Sequence, residues 1–131
     1  MPLVLTVVRR LVALGLCTAA ALALPFTARP ANAAAGAVLI ITVTPQAGGA
    51  YSMRLTCDPD GGVHPRPREA CAVLRRVDGD VEALNVNPGP CPLIHDPVDV
   101  RVHGHWYDRP VSYVAEFVNR CALDRKLGPV I

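Results

Sequence analysis

The chain has 131 residues, with 13 Lys+Arg against 11 Asp+Glu and 51% apolar residues. It is too short for two ordinary domains and too apolar to stay disordered, so one small domain is expected. Residues 1–33 hold three arginines and no acid, and without them 10 basic residues face 11 acidic ones. With one lysine, Lys126, and scattered arginines, the remainder lacks the basic footprint of a nucleic-acid binder.

Arg9 and Arg10 precede an apolar run, Leu11 to Leu24, followed by Pro25 and the small-residue exit Ala31-Asn32-Ala33. This is the pattern of a secretory signal peptide, with cleavage expected after Ala33 or Ala35. The run of 14 residues falls short of the roughly 20 that a helix needs to cross a bilayer. The expected organisation is therefore a leader over 1–33 and a secreted domain over 34–131, with no membrane attachment once the leader is gone.

Cys17 leaves with the leader, and Cys57, Cys71, Cys91 and Cys121 remain. Four cysteines in an exported chain imply two disulfides in one of three pairings. We take the sequential pairing: Cys57 with Cys71 closes a 15-residue loop worth ~3 kcal/mol of chain entropy, and Cys91 with Cys121 a 31-residue loop worth roughly 3.7 kcal/mol. A zinc site built from these thiols is disfavoured because no C-x-x-C pair occurs.

Along the domain, Ala37 to Thr44 is rich in β-branched residues and stops at Pro45, and Gly48-Gly49 leads into a second strand, Tyr51 to Cys57. Asp58-Pro59-Asp60-Gly61-Gly62 reads as a turn. A helix begins near Pro67, where a missing N–H costs nothing, with Glu69 in its first turn. Ala70, Val73, Leu74 and Val77 follow the spacing of one buried helical face, and Gly79 is placed to end it. Val98, Val100 and Val102 alternate with polar residues, His103-Gly104 is expected to turn, and Val111, Tyr113, Ala115 and Phe117 share one face of a last strand. A helical turn is expected over Ala122 to Lys126. Antiparallel strands with one main helix make an α+β fold.

Between them, Asn87 to Pro97 carries four prolines in 11 residues. Each proline fixes φ near −65° and pushes the preceding residue toward extended geometry, so the segment reads as an ordered, extended, exposed loop tethered by Cys91. Leu93 and Ile94 form an apolar tip between Pro92 and His95-Asp96. A loop of this kind suits a protease cleft, which accepts a substrate-like strand. If rigid flanks hold both new ends after cleavage, religation competes with release. Ordering a free residue costs ~1 to 2 kcal/mol, so having about six residues ordered in advance spares at most roughly 6 to 12 kcal/mol on binding.

Leu55-Thr56-Cys57, His64-Pro65, Cys71-Ala72-Val73-Leu74, Gly79-Asp80, Cys91-Pro92-Leu93-Ile94-His95-Asp96-Pro97 and Val111-Ser112-Tyr113, leading through Phe117 and Asn119 to Cys121, together resemble the Streptomyces-type subtilisin inhibitor family. These are secreted inhibitors of serine proteases. The resemblance covers nearly the whole domain and implies the same sequential disulfides, a five-stranded antiparallel sheet with helices on one face, and a homodimer through the sheet. It also implies a scissile bond at Leu93-Ile94. Leu93 then enters the protease's primary pocket, with Pro90, Cys91 and Pro92 upstream and His95, Asp96 and Pro97 on the leaving side. An uncharged leucine suits the apolar pockets of subtilisin-like and chymotrypsin-like enzymes and gives trypsin's buried aspartate nothing to pair with. Against the family pattern the segment from Leu84 to Cys91 is one residue short and carries Pro88-Gly89-Pro90. Pro110 stands where the family has a basic residue, so strand pairing is expected to start only at Val111.

Other chemistries are less supported. His103 and His105 share a strand face, but His64 and His95 are distant in sequence, leaving no third ligand. Glu116 with histidines and an arginine does not form a nuclease spacing, and Ser52 and Ser112 lie outside any G-x-S-x-G. Trp106, Tyr113 and Phe117 are read as core. No enzyme activity, metal or cofactor is expected. The alternative to inhibition is a secreted disulfide-bonded scaffold, or a protease or transglutaminase substrate, in which the loop is merely a cleavage site.

Overall fold

A computed structural model describes residues 34–131. The leader expected over residues 1–33 lies outside the described residues. Two long strands, β1 (Ala37–Pro45) and β2 (Tyr51–Cys57), are joined through Gly48, whose φ of 113° suits only glycine. A two-residue strand β3 (Gly61–Gly62), helix α1 (Pro67–Arg76) and a 3₁₀ turn (Val81–Ala83) follow. After a long irregular segment come β4 (Val98–Trp106), β5 (Arg109–Phe117), α2 (Arg120–Leu127) and a final 3₁₀ turn (Gly128–Val130). The strands form one antiparallel sheet in the order β3-β2-β1-β4-β5. The α+β architecture read from the sequence is therefore present.

Alternation along the strands sends one set of side chains into the core. Leu39, Ile41 and Val43 of β1 are fully buried beside Leu55, Val100, Val102 and Trp106, and Leu74, Leu123 and Leu127 are buried on the helices. Each such side chain withdrawn from water contributes about 1.5 to 3 kcal/mol. Helix α1 starts with Pro67 in its first turn and places Glu69 near the N-terminus and Arg75 and Arg76 near the C-terminus, complementing the helix dipole. Gly79 closes it, donating its N–H to the Leu74 carbonyl at 2.9 Å with φ 75°. A Cβ at Gly79 would lie 2.2 Å from the Trp106 ring.

The disulfides pair sequentially. Cys57–Cys71 joins the end of β2 to α1, and Cys91–Cys121 joins the irregular segment to α2. Beside the first, Arg75 bonds the Asp58 carboxylate at 2.6 Å and also Asp60, and the Tyr107 hydroxyl donates to Asp58.

Two strand expectations are corrected. His103-Gly104 does not turn: β4 runs through both, and Gly104, at φ 144°, is needed because a Cβ there would lie 2.1 Å from the Val38 carbonyl oxygen of β1. The turn falls at Tyr107-Asp108, with Tyr107 at φ 53°. Nor does pairing wait for Val111, since Trp106 faces Arg109 and His105 faces Pro110. β5 is an edge strand, where a residue without an N–H is tolerated.

Candidate functional site

The irregular segment before β4 carries the predicted loop, and its tip projects from the protein. Leu93 is 105% exposed and Ile94 61%, although both are large and apolar. Folding back into the core, the ordinary fate of such residues, does not occur here. Pro90, Pro92, His95 and Asp96 are also exposed, while Cys91 and Pro97 are half-buried where the loop meets the body. Pro97 leads directly into buried Val98, so the downstream arm enters β4 without a linker.

The backbone is held on both sides of Leu93. Upstream, Cys91 is bonded to Cys121 in the first turn of α2. Downstream, the Asp96 N–H donates to the Val118 carbonyl at 2.9 Å, and the Gln46 N–H to the Pro97 carbonyl at 3.0 Å. Between them lies Asn119, buried at 6% exposure. Its amide nitrogen donates to the Pro92 carbonyl at 3.1 Å and to the Ile94 carbonyl at 2.8 Å. Its side-chain oxygen accepts the Ala122 N–H at 3.0 Å, capping α2. That cap fixes which end of the amide faces the loop: with the oxygen engaged by a helix N–H, both N–H donors point at the two carbonyls. One side chain thus grips the chain before and after the Leu93-Ile94 peptide bond.

In the sequence Asn119 stands within the family motif, between Phe117 and Cys121, with no role that its position alone assigns. Its only local signal was an asparagine placed to cap a short helix two residues before Cys121.

The remaining candidates do not converge on this loop. His103 and His105 lie exposed on the outer face of β4, and His105 Nδ1 is 3.1 Å from the Tyr107 carbonyl oxygen. His64 is a core residue: its Nε2 bonds the Val130 carbonyl at 3.0 Å, and its Nδ1 accepts the Arg66 N–H at 3.0 Å. Trp106 and Tyr113 are buried and Phe117 is half-buried, as expected of core aromatics. Among the described residues, Cys57, Asp60 and Cys71 bring ligand-type atoms together, but the two sulfurs are joined in a disulfide and offer no thiolate. Among the same residues no helix is long and apolar enough to cross a membrane.

The site is thus an exposed peptide bond gripped on both sides, and comparison with known proteins gives the family to which the chain belongs. The subtilisin inhibitor-like family model matches residues 21–119. The chain belongs to that family. A trypsin inhibitor of Streptomyces longisporus is 43% identical over 114 residues, covering 82% of this chain and 78% of that protein. A subtilisin inhibitor of Streptomyces albogriseolus is 38% identical over 112 residues, covering 80% and 77%. Among solved structures, Streptomyces caespitosus sermetstatin in complex with Bacillus licheniformis subtilisin superposes with a TM-score of 0.56 at 29% identity, covering 72% of this chain and 96% of that one. Members of the subtilisin inhibitor-like family are protease inhibitors and not enzymes, which accords with a displayed loop in place of a catalytic constellation.

Proposed function

We propose that the protein is a secreted inhibitor of subtilisin-like and chymotrypsin-like serine proteases that binds as a substrate through the Leu93-Ile94 bond. The observation that carries this reading is the Asn119 amide, bonded to the Pro92 and Ile94 carbonyls on either side of a fully exposed leucine. Leu93 fills the primary pocket of the protease, Pro90, Cys91 and Pro92 lie along the upstream subsites, and Ile94, His95, Asp96 and Pro97 line the leaving side. Cleavage yields two ends that stay anchored, one through Cys91 and Asn119, the other through Asn119 and Asp96. Rejoining is then unimolecular and competes with release.

The same reading takes residues 1–33 as an export signal cut after Ala33 or Ala35, and residues 34–131 as the inhibitor domain. It includes a homodimer through the outer sheet face, where half-buried Val38 and Ile40 and exposed Val114 lie. Sedimentation of the purified protein tests the dimer.

The functional test mixes purified protein and subtilisin at equal concentrations. Prompt, lasting loss of protease activity is expected, with mass spectrometry finding the main cut after Leu93. Rapid digestion with activity intact would make the protein a substrate and end the inhibitory reading.

A further inference from the structure

We propose that Arg125 is a positioning residue for the upstream arm of the loop, a role that rests on the inhibitory reading above. Between Asn87 and Cys91 the chain reads Pro88-Gly89-Pro90, and the two prolines have no N–H to anchor the backbone. With the Gly89 N–H the one backbone donor left between them, restraint there falls chiefly on the carbonyls and on packing against the chain. Arg125 supplies both. Its guanidinium donates to the Asn87 carbonyl at 3.4 Å. It also lies across Gly89, where a Cβ would stand 3.0 Å from the Arg125 Nη1 and 3.2 Å from its Cζ.

The surrounding backbone fixes the arginine's base. The Asn87 N–H donates to the Arg125 carbonyl at 2.8 Å, and the Val86 N–H to the Lys126 carbonyl at 3.1 Å. These carbonyls sit in the last turn of α2, where carbonyls have no partner within the helix. Cys121 and Arg125 stand four residues apart and so share a helix face. Helix α2 therefore holds the upstream arm by a covalent bond at one point and a flat cation one turn further on. The Asn87 N–H bond and the Cys91 disulfide fix the two ends of residues 87–90, and the Arg125 side chain restrains the stretch between them, from which Pro92 and Leu93 extend. With Arg125 in place the new end at Leu93 stays near its partner.

Four variants of the secreted protein test this: Arg125→Ala, Arg125→Lys, Gly89→Ala and the double variant Gly89→Ala/Arg125→Ala. For each, the inhibition constant against subtilisin and the equilibrium ratio of cut to intact inhibitor are measured. Arg125→Ala is expected to weaken inhibition about tenfold, the factor carried by one hydrogen bond from a charged donor. It also raises the cut-to-intact ratio, because a loosened arm gains more freedom once its covalent link to Ile94 is gone, and it lowers the melting midpoint only slightly, as loss of an exposed contact does. Arg125→Lys recovers part of the loss by supplying one donor without the flat face. Gly89→Ala displaces the guanidinium, so it weakens inhibition when Arg125 is present and is silent when Arg125 is already alanine.

Equal potency and an equal cut-to-intact ratio for wild type and Arg125→Ala would overturn the role of Arg125 while leaving the inhibitory reading intact. So would a Gly89→Ala loss that is the same with and without Arg125. A wild-type protein that fails to inhibit subtilisin overturns the inhibitory reading, and this role with it.

Discussion

Asn119 performs two tasks that different substitutions separate. Its oxygen caps α2 through the Ala122 N–H, and its nitrogen donates to the Pro92 and Ile94 carbonyls. Asn119→Ala removes all three bonds. Losing the cap costs about 1 kcal/mol of stability, and losing two buried neutral hydrogen bonds costs about 1 kcal/mol each. Asn119→Asp keeps an oxygen for the cap, and aspartate caps as well as asparagine. It removes both donors, however, and turns a carboxylate oxygen toward the two carbonyls. The loop term alone, about 2 kcal/mol, corresponds to roughly 30-fold in the inhibition constant, and charge repulsion adds to it. Titration of subtilisin activity reads the inhibition constant, and urea unfolding reads stability. Both variants are expected to lose inhibition, Asn119→Asp at least as much as Asn119→Ala, and both to lower the thermal and urea midpoints. Wild-type inhibition by Asn119→Asp would refute the grip on the loop as the source of potency.

Leu93→Lys is expected to gain inhibition of trypsin and lose it against subtilisin, read by inhibition constants for both enzymes, since the ammonium supplies a partner for a buried aspartate. Replacing Cys91 and Cys121 together by serine removes a 31-residue closure and lowers urea-unfolding stability by roughly 3.7 kcal/mol, with faster digestion of the loop by subtilisin. The Tyr107 hydroxyl and Arg75 hold the Asp58 carboxyl below its ordinary value of 3.8. Stability from this contact is therefore present above that value and lost as pH falls through the lowered one. Tyr107→Phe is expected to narrow its melting-temperature deficit to wild type as pH drops below about 4, and a deficit constant down to pH 2 would refute the coupling.

Features set by short-range chemistry were legible in the sequence. The proline spacing announced an extended loop, β-branched alternation announced the strands, and Ala70, Val73 and Leu74 announced the buried face of α1. Features that depend on what lies across the fold were not. Gly104 looked like a turn because glycine favours turns, but it serves close approach of β1 to β4. The turn itself carries Tyr107 in the left-handed region, which no local rule anticipates for a bulky residue. It is held by the residue beside it and by one far along the chain: the Tyr107 ring packs edge-on against Trp106 at 5.6 Å, and its hydroxyl meets Asp58. Likewise the tip of the loop was legible, while its supports, Asn119 and Arg125, became visible only once α2 was seen lying along it.

Because the Leu93 side chain touches nothing else in its own molecule, folding places no demand on what stands at that position. Selection acting on fit to a protease and selection acting on the fold then fall on separate residues. A lineage carrying this scaffold is free to follow a changing enzyme by single substitutions at the tip, with no intermediate passing through an unstable protein.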